Sequence, residues 1–154
     1  MQHNPFVSVN IAPDQGTKGG VMNWSKVLIA GIVGGIAANI ADFVMHGLIM
    51  GKTYMKYTDV FSQEQANPFY FLAISLLMAF FMAAIFAKTR GSWAAGWVGG
   101  ATFGFWIGLF MFFSNFIPAL VVDGFPYFLS WCWGGMGLIA ATVMGAAIGA
   151  VYKG

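Results

Sequence analysis

Asp42 and His46 stand four residues apart within Val27 to Met50, a stretch that otherwise reads as a membrane-spanning helix, and Asn39 precedes Asp42 by three. On an α-helix the i, i+3 and i+7 positions share one face. An acid near the centre of such a helix costs roughly 2.5–3.5 kcal/mol on insertion scales. Only 8% of the residues are charged, so an acid at that depth is a candidate functional group.

The residue types allow three kinds of chemistry. In the first, the stripe is a satisfied polar cluster that joins its helix to a neighbour through Asn115, Ser114 or Thr102. In the second, Asp42 and His46 lie on a proton or ion path, as intramembrane acids and imidazoles often do. In the third, His46 is an axial or hydrogen-bonding ligand of a pigment, haem or quinone, with Asp42 as its supporting partner. At a spacing of four, Asp42 and His46 are also expected to hydrogen-bond each other directly.

Several classes are excluded by count. A helical-bundle carboxylate di-metal site needs several Glu and two His; the chain has Glu64 alone and, besides His46, only His3 near its start. A bis-His haem within one chain fails for the same reason. The single Cys132 leaves no internal disulfide and no dithiol centre. No phosphate-binding glycine loop precedes a helix, because the glycines lie inside apolar runs. The net charge of +2 comes from residues at predicted interfaces, which gives no support for nucleic-acid binding. The expectation is a protein without enzymatic activity.

The elements that must hold these residues are four apolar runs, at about 27–50, 69–87, 93–117 and 125–152. With 59% hydrophobic residues and a mean hydropathy of +0.75, too little charge remains to cover a soluble surface. Each run reaches the roughly 20 residues needed to cross about 30 Å of hydrocarbon. The fold class is therefore all-α, a polytopic membrane protein built as a bundle of four transmembrane helices. Residues 1–23 read as a polar tail and 24–154 as the transmembrane domain, with no cleavable signal peptide. Lys18, Lys26, Lys88, Arg90 and Lys153 fall on one side and only Lys52 and Lys56 on the other. That asymmetry predicts N- and C-termini in the cytoplasm of a bacterial inner membrane. The loop 51–67 is expected to be a solvated connection, with a short amphipathic segment lying on the bilayer or on a partner as the alternative, and Trp131, Cys132 and Trp133 an aromatic packing cluster.

Glycine spacing predicts the packing. Gly96, Gly100, Gly104 and Gly108 recur every four residues, as do Gly137, Ala141, Gly145 and Gly149, with Gly31 and Gly35 a shorter version. Small residues at this spacing let backbones approach closely in lipid. The first, third and fourth helices are expected to pack together, and the second to face more lipid. Ala30 to Gly35 also matches Ala95 to Gly100 (AGIVGG against AGWVGG), and Tyr70-Phe71-Leu72 matches Tyr127-Phe128-Leu129. The chain can thus be read as two repeated helical hairpins, or as unrelated Gly/Ala-rich helices that look alike.

With its Asp42-x-x-x-His46 stripe followed by Tyr54, its basic turn with Lys88 and Arg90, and its Gly-rich third and fourth helices, the chain resembles small uncharacterised bacterial four-helix integral membrane proteins. That resemblance implies the fold and no activity. The layout also looks like small multidrug transporters in placing an acid in the first of four helices, but as Asp rather than Glu and with longer outer loops. Two functions are expected from these features. One is a scaffold or accessory subunit of a larger membrane complex, handling electrons or light, with other membrane subunits or itself as partners in the lipid bilayer. The other is a small oligomeric transporter or channel with Asp42 as the coupling acid.

Overall fold

Asn23 starts the first helix: its side-chain oxygen accepts a hydrogen bond from the Lys26 amide at 3.1 Å, which satisfies one of the unpaired N–H groups of the first turn. The computed structural model describes residues 22–61 and 67–152. Helix α1 (Trp24–Asp42) runs on into a π-helix, Phe43–Ile49, and a short α2 (Gly51–Tyr54) follows. Helix α3 (Pro68–Lys88) has the same kind of start, with Asn67 accepting from the Phe69 amide at 3.0 Å and Pro68 in the first turn. After a 3₁₀ turn (Arg90–Ser92) come α4 (Gly96–Phe112), a 3₁₀ stretch (Phe113–Phe116), α5 (Ile117–Val121) and α6 (Tyr127–Val151).

Four helices are long and apolar enough to cross a membrane: Trp24–Ile49, Pro68–Lys88, Gly96–Val121 and Tyr127–Val151. No strand occurs among the described residues. This is the all-α four-helix bundle expected of an integral membrane protein. The first span begins three residues earlier than expected and the second one residue earlier, where Asn23 and Asn67 cap them. Most of the expected tail, together with Glu64 and Lys153, lies outside the described residues.

The third span is not one α-helix. Ser114 Oγ donates to the Met111 carbonyl at 2.6 Å, and Asn115 Nδ2 donates to the carbonyls of Met111 and Phe112. Pro118 has no N–H to offer the Ser114 carbonyl. Side chains thus compete for the helical acceptors just where a donor is missing, and the turn tightens to 3₁₀ before α5.

Each helical hairpin closes on glycines. A Cβ on Gly31 would come within 3.0 Å of the Phe80 Cα, and one on Gly35 within 2.9 Å of the Leu76 Cα, so α1 lies backbone to backbone on α3. Gly100, Gly104 and Gly108 interlock in the same way with Ala141, Gly145 and Gly149 of α6. Helix α1 also packs on α6, where Gly34 meets the Ile148 side chain. Three expectations are corrected. Gly31 and Gly35 face the second span rather than the third or fourth. The second span is a packing partner of α1, with Ser75, Ala79, Met82, Ala83 and Phe86 buried. An added Cβ on Gly96 or Gly137 would meet nothing closer than 4.0 Å, so neither needs its missing side chain for packing, although the Gly96 carbonyl itself lies against Gly149. Gly96 is instead needed for its backbone, with φ at +74° at the start of α4.

The core sits toward one end of the bundle. Val27, Ala30, Phe86, Phe103, Ile148 and Tyr152 are buried together there, and the Phe86 ring lies 5.4 Å from Phe103 and 6.2 Å from Tyr152. Arg90 seals that end. Its guanidinium donates to the carbonyls of Trp93 at 2.8 Å and Ala94 at 3.3 Å and lies 5.7 Å from the Phe86 ring centroid. Large apolar side chains such as Phe110, Leu120 and Phe69 point outward, as lipid-facing residues do.

Candidate functional site

The opposite end of the bundle is held by side chains rather than glycines, and it contains the sequence-predicted site. The π-helix Phe43–Ile49 begins immediately after Asp42. Its i→i+5 hydrogen bonds widen the turn, so a spacing of four no longer stacks Asp42 over His46. The direct Asp42–His46 hydrogen bond is not formed. His46 turns to Tyr54 instead, with Nδ1 2.6 Å from the phenol oxygen and the two rings stacked at 6.0 Å. Trp133 of α6 donates its Nε1–H to the same oxygen at 2.9 Å.

The protons in this triad follow from the donor inventory. Indole nitrogen only donates, so Tyr54 accepts from Trp133 and keeps its own O–H to give away. Among the described residues the only acceptor for it is His46 Nδ1. With the phenol donating to Nδ1, the imidazole carries its proton on Nε2. Burial pushes the Tyr54 phenol above its ordinary 10.0, opposed by the Trp133 hydrogen bond and reinforced by Cys132. Tyr54 is therefore a neutral phenol that orients His46, and Nε2 of His46 remains without a hydrogen-bond partner among the described residues.

Aromatic rings close over the triad. Phe61 lies 5.1 Å from Tyr54 and 6.0 Å from Trp133, and Phe125 lies 5.2 Å from Trp133. The expected solvated loop 51–67 is thus, over its described part, folded down on the end of α6. Trp133 belongs to the site, whereas its neighbour Trp131 turns away to stack edge-on against Phe116 at 4.9 Å. The sequence does carry one signal for Trp133: an indole N–H held within an apolar helix needs an acceptor, and a loop tyrosine is a fitting one.

Asn39 and Asp42 are separate from this triad. Neither side chain has a hydrogen-bond partner among the described residues, and their polar atoms reach the surface of the chain rather than being sealed inside it. Asp42 lies roughly 8 Å from the middle of its span at 1.5 Å per residue, still within the hydrocarbon. Asn115 is not brought to either group, since its amide is spent on its own helix. Ser114 and Thr102 likewise bond their own helical carbonyls, at 2.6 and 3.0 Å. The expected cluster between the first and third spans is not formed.

Comparison with known protein families, curated proteins and solved structures gives no match to this chain.

The arrangement supplies two different chemical opportunities. One is an oriented imidazole at the aromatic end of the bundle, its Nε2 without a hydrogen-bond partner among the described residues. The other is the half-buried amide and carboxyl of Asn39 and Asp42 on α1, without hydrogen-bond partners among the described residues.

Proposed function

We propose that the chain is a non-enzymatic membrane scaffold or accessory subunit that docks on another polypeptide through the outer half of α1. The observation that carries this reading is Asp42: a half-buried carboxyl within a membrane span, with no hydrogen-bond partner among the described residues. Leaving such a group in hydrocarbon costs roughly 2.5–3.5 kcal/mol. A neighbouring helix that offers a donor removes that cost and adds packing. Asn39, one turn away, extends the polar contact. The glycine faces are used inside the chain, so they are not the docking surface. Lys26, Lys88 and Arg90 lie at the glycine-sealed end, which supports placing both termini in the cytoplasm of a bacterial inner membrane. If the complex carries a pigment, haem or quinone, Nε2 of His46 is the atom free to contact it.

The test is gentle purification from the native membrane, with the co-purifying chains and the absorbance spectrum read together. A scaffold leaves the membrane with stoichiometric partners. A colourless, partner-free monomer contradicts the reading. The second reading is an oligomeric transporter with Asp42 as its coupling acid, and the same unpartnered carboxyl favours it. It requires ion- or proton-coupled flux in liposomes that Asp42→Asn abolishes while the protein stays folded; the scaffold shows no flux.

A further inference from the structure

Three thioethers and the chain's single thiol line one groove. Met45 in the first span and Met50 just after it form one wall, and Cys132 and Met136 form the other on α6, around a space of ≈330 Å³ open toward lipid. The same four residues belong to one packed cluster, with Met45 and Met136 buried at its centre and Met50 and Cys132 against them.

The π-helix is what makes this possible. Met45 and Met50 are five residues apart, which on an α-helix would separate them by roughly 140° around the axis. In the π-helical turn the Met50 amide bonds the Met45 carbonyl at 3.0 Å, and the two residues lie one above the other. Cys132 and Met136 are one α-helical turn apart and share a face of α6. The two elements therefore contribute two sulfur-bearing residues each to the lining of the same groove. Neither a carboxylate nor an imidazole is among the lining residues.

We propose that Met45, Met50, Cys132 and Met136 bind copper(I). Thioether and thiolate donors are soft, and a site made of them selects copper(I) over the harder divalent ions that need nitrogen or oxygen. On binding, the Cys132 thiol loses its proton to water at the membrane surface and a copper–sulfur bond forms, with no change in oxidation state on either side. The site stands on different residues from the docking face of α1, so failure of either proposal leaves the other intact.

The experiment uses the full chain in mild detergent, without oxygen and with ascorbate present. Copper(I) is titrated in competition with the chelator bicinchoninate. The expected result is one copper(I) held per chain. Loss of a ligand costs no less than the ~10-fold that loss of an outer hydrogen-bond partner does, so Met45→Leu combined with Met136→Leu weakens binding by that factor or more. Cys132→Ser does the same. Leucine conserves the volume of methionine, and circular dichroism with elution volume confirms that the variants fold. Met78→Leu and Met111→Leu, at exposed positions on other spans, leave binding unchanged. The proposal is overturned if the wild-type chain yields its copper to the chelator. It is equally overturned if Cys132→Ser abolishes retention while the double methionine variant binds like wild type, which would mean a lone thiol.

Discussion

His46 Nδ1 lies 2.6 Å from the hydroxyl of Tyr54, and Trp133 Nε1, 79 positions further along the chain, lies 2.9 Å from that same hydroxyl. One phenol oxygen thereby ties the first span, the loop after it and the last helix together. At this end of the bundle it does what backbone contact between glycines does at the other.

Removing that oxygen leaves two partly buried groups without partners. Tyr54→Phe is expected to destabilise the protein by about 1–3 kcal/mol, the usual cost of stranding a buried donor or acceptor. Trp133→Phe should cost a similar amount, and the double variant clearly less than the sum, because both act on one hydrogen bond. Unfolding in mixed detergent measures all three. Strict additivity would show that the triad is not coupled.

The phenol also predicts a pH dependence. Burial holds Tyr54 above its ordinary 10.0, so the folded state keeps a proton that the unfolded chain gives up. Its contribution is complete below the unfolded value and is lost as pH rises through the folded one. Stability should therefore fall in the alkaline range for wild type and less steeply for Tyr54→Phe. The tyrosinate absorbance difference between the two proteins should have its midpoint above 10.0; a midpoint at or below it contradicts the placement.

The glycines separate into classes that one kind of substitution can distinguish. Gly104→Ala drives a methyl group into the Ala141 backbone and should cost about 1–3 kcal/mol, as overpacking does. Gly137→Ala meets only the Asn115 side chain, at an ordinary 4.0 Å, and should be neutral, or stabilising by roughly 0.5–1 kcal/mol through helix propensity. Equal thermal stability of the two variants would sink the account of the α4–α6 contact.

Gly96 belongs to neither class. Nothing crowds its missing side chain, yet its φ of +74° is unfavourable for any L-residue. Gly96→Ala should cost about 1–2 kcal/mol, and Gly96→Asn less, since asparagine tolerates this region. Identical losses for the two would point to packing and away from backbone conformation.

The four spans are legible in the sequence because hydropathy over about 20 residues depends on composition alone. Where each span starts is less so, for Asn23 and Asn67 act through single hydrogen bonds that an average over many residues hides. The glycine stripes of the third and fourth spans announce their close approach correctly. A stripe does not say which helix approaches it, and Gly31 and Gly35 turned out to meet α3. The candidate site was only half legible. Asn39, Asp42 and His46 share a face under α-helical periodicity, and the π-helix that begins at Phe43 removes His46 from it. No residue between Phe43 and Ile49 advertises a wider turn to an argument from 3.6-residue spacing. Tyr54 and Trp133 are distant in sequence, so their meeting depends on the packed bundle rather than on any local pattern.

The central claim is that Asp42 faces a partner outside its own chain. Membrane patches carrying wild-type protein or Asp42→Leu, extracted without detergent, can be weighed by native mass spectrometry. The wild-type chain should leave the membrane bound to at least one further polypeptide, and Asp42→Leu should leave alone while keeping its helical content. The same single-chain mass for both, or the same complex for both, would contradict the claim.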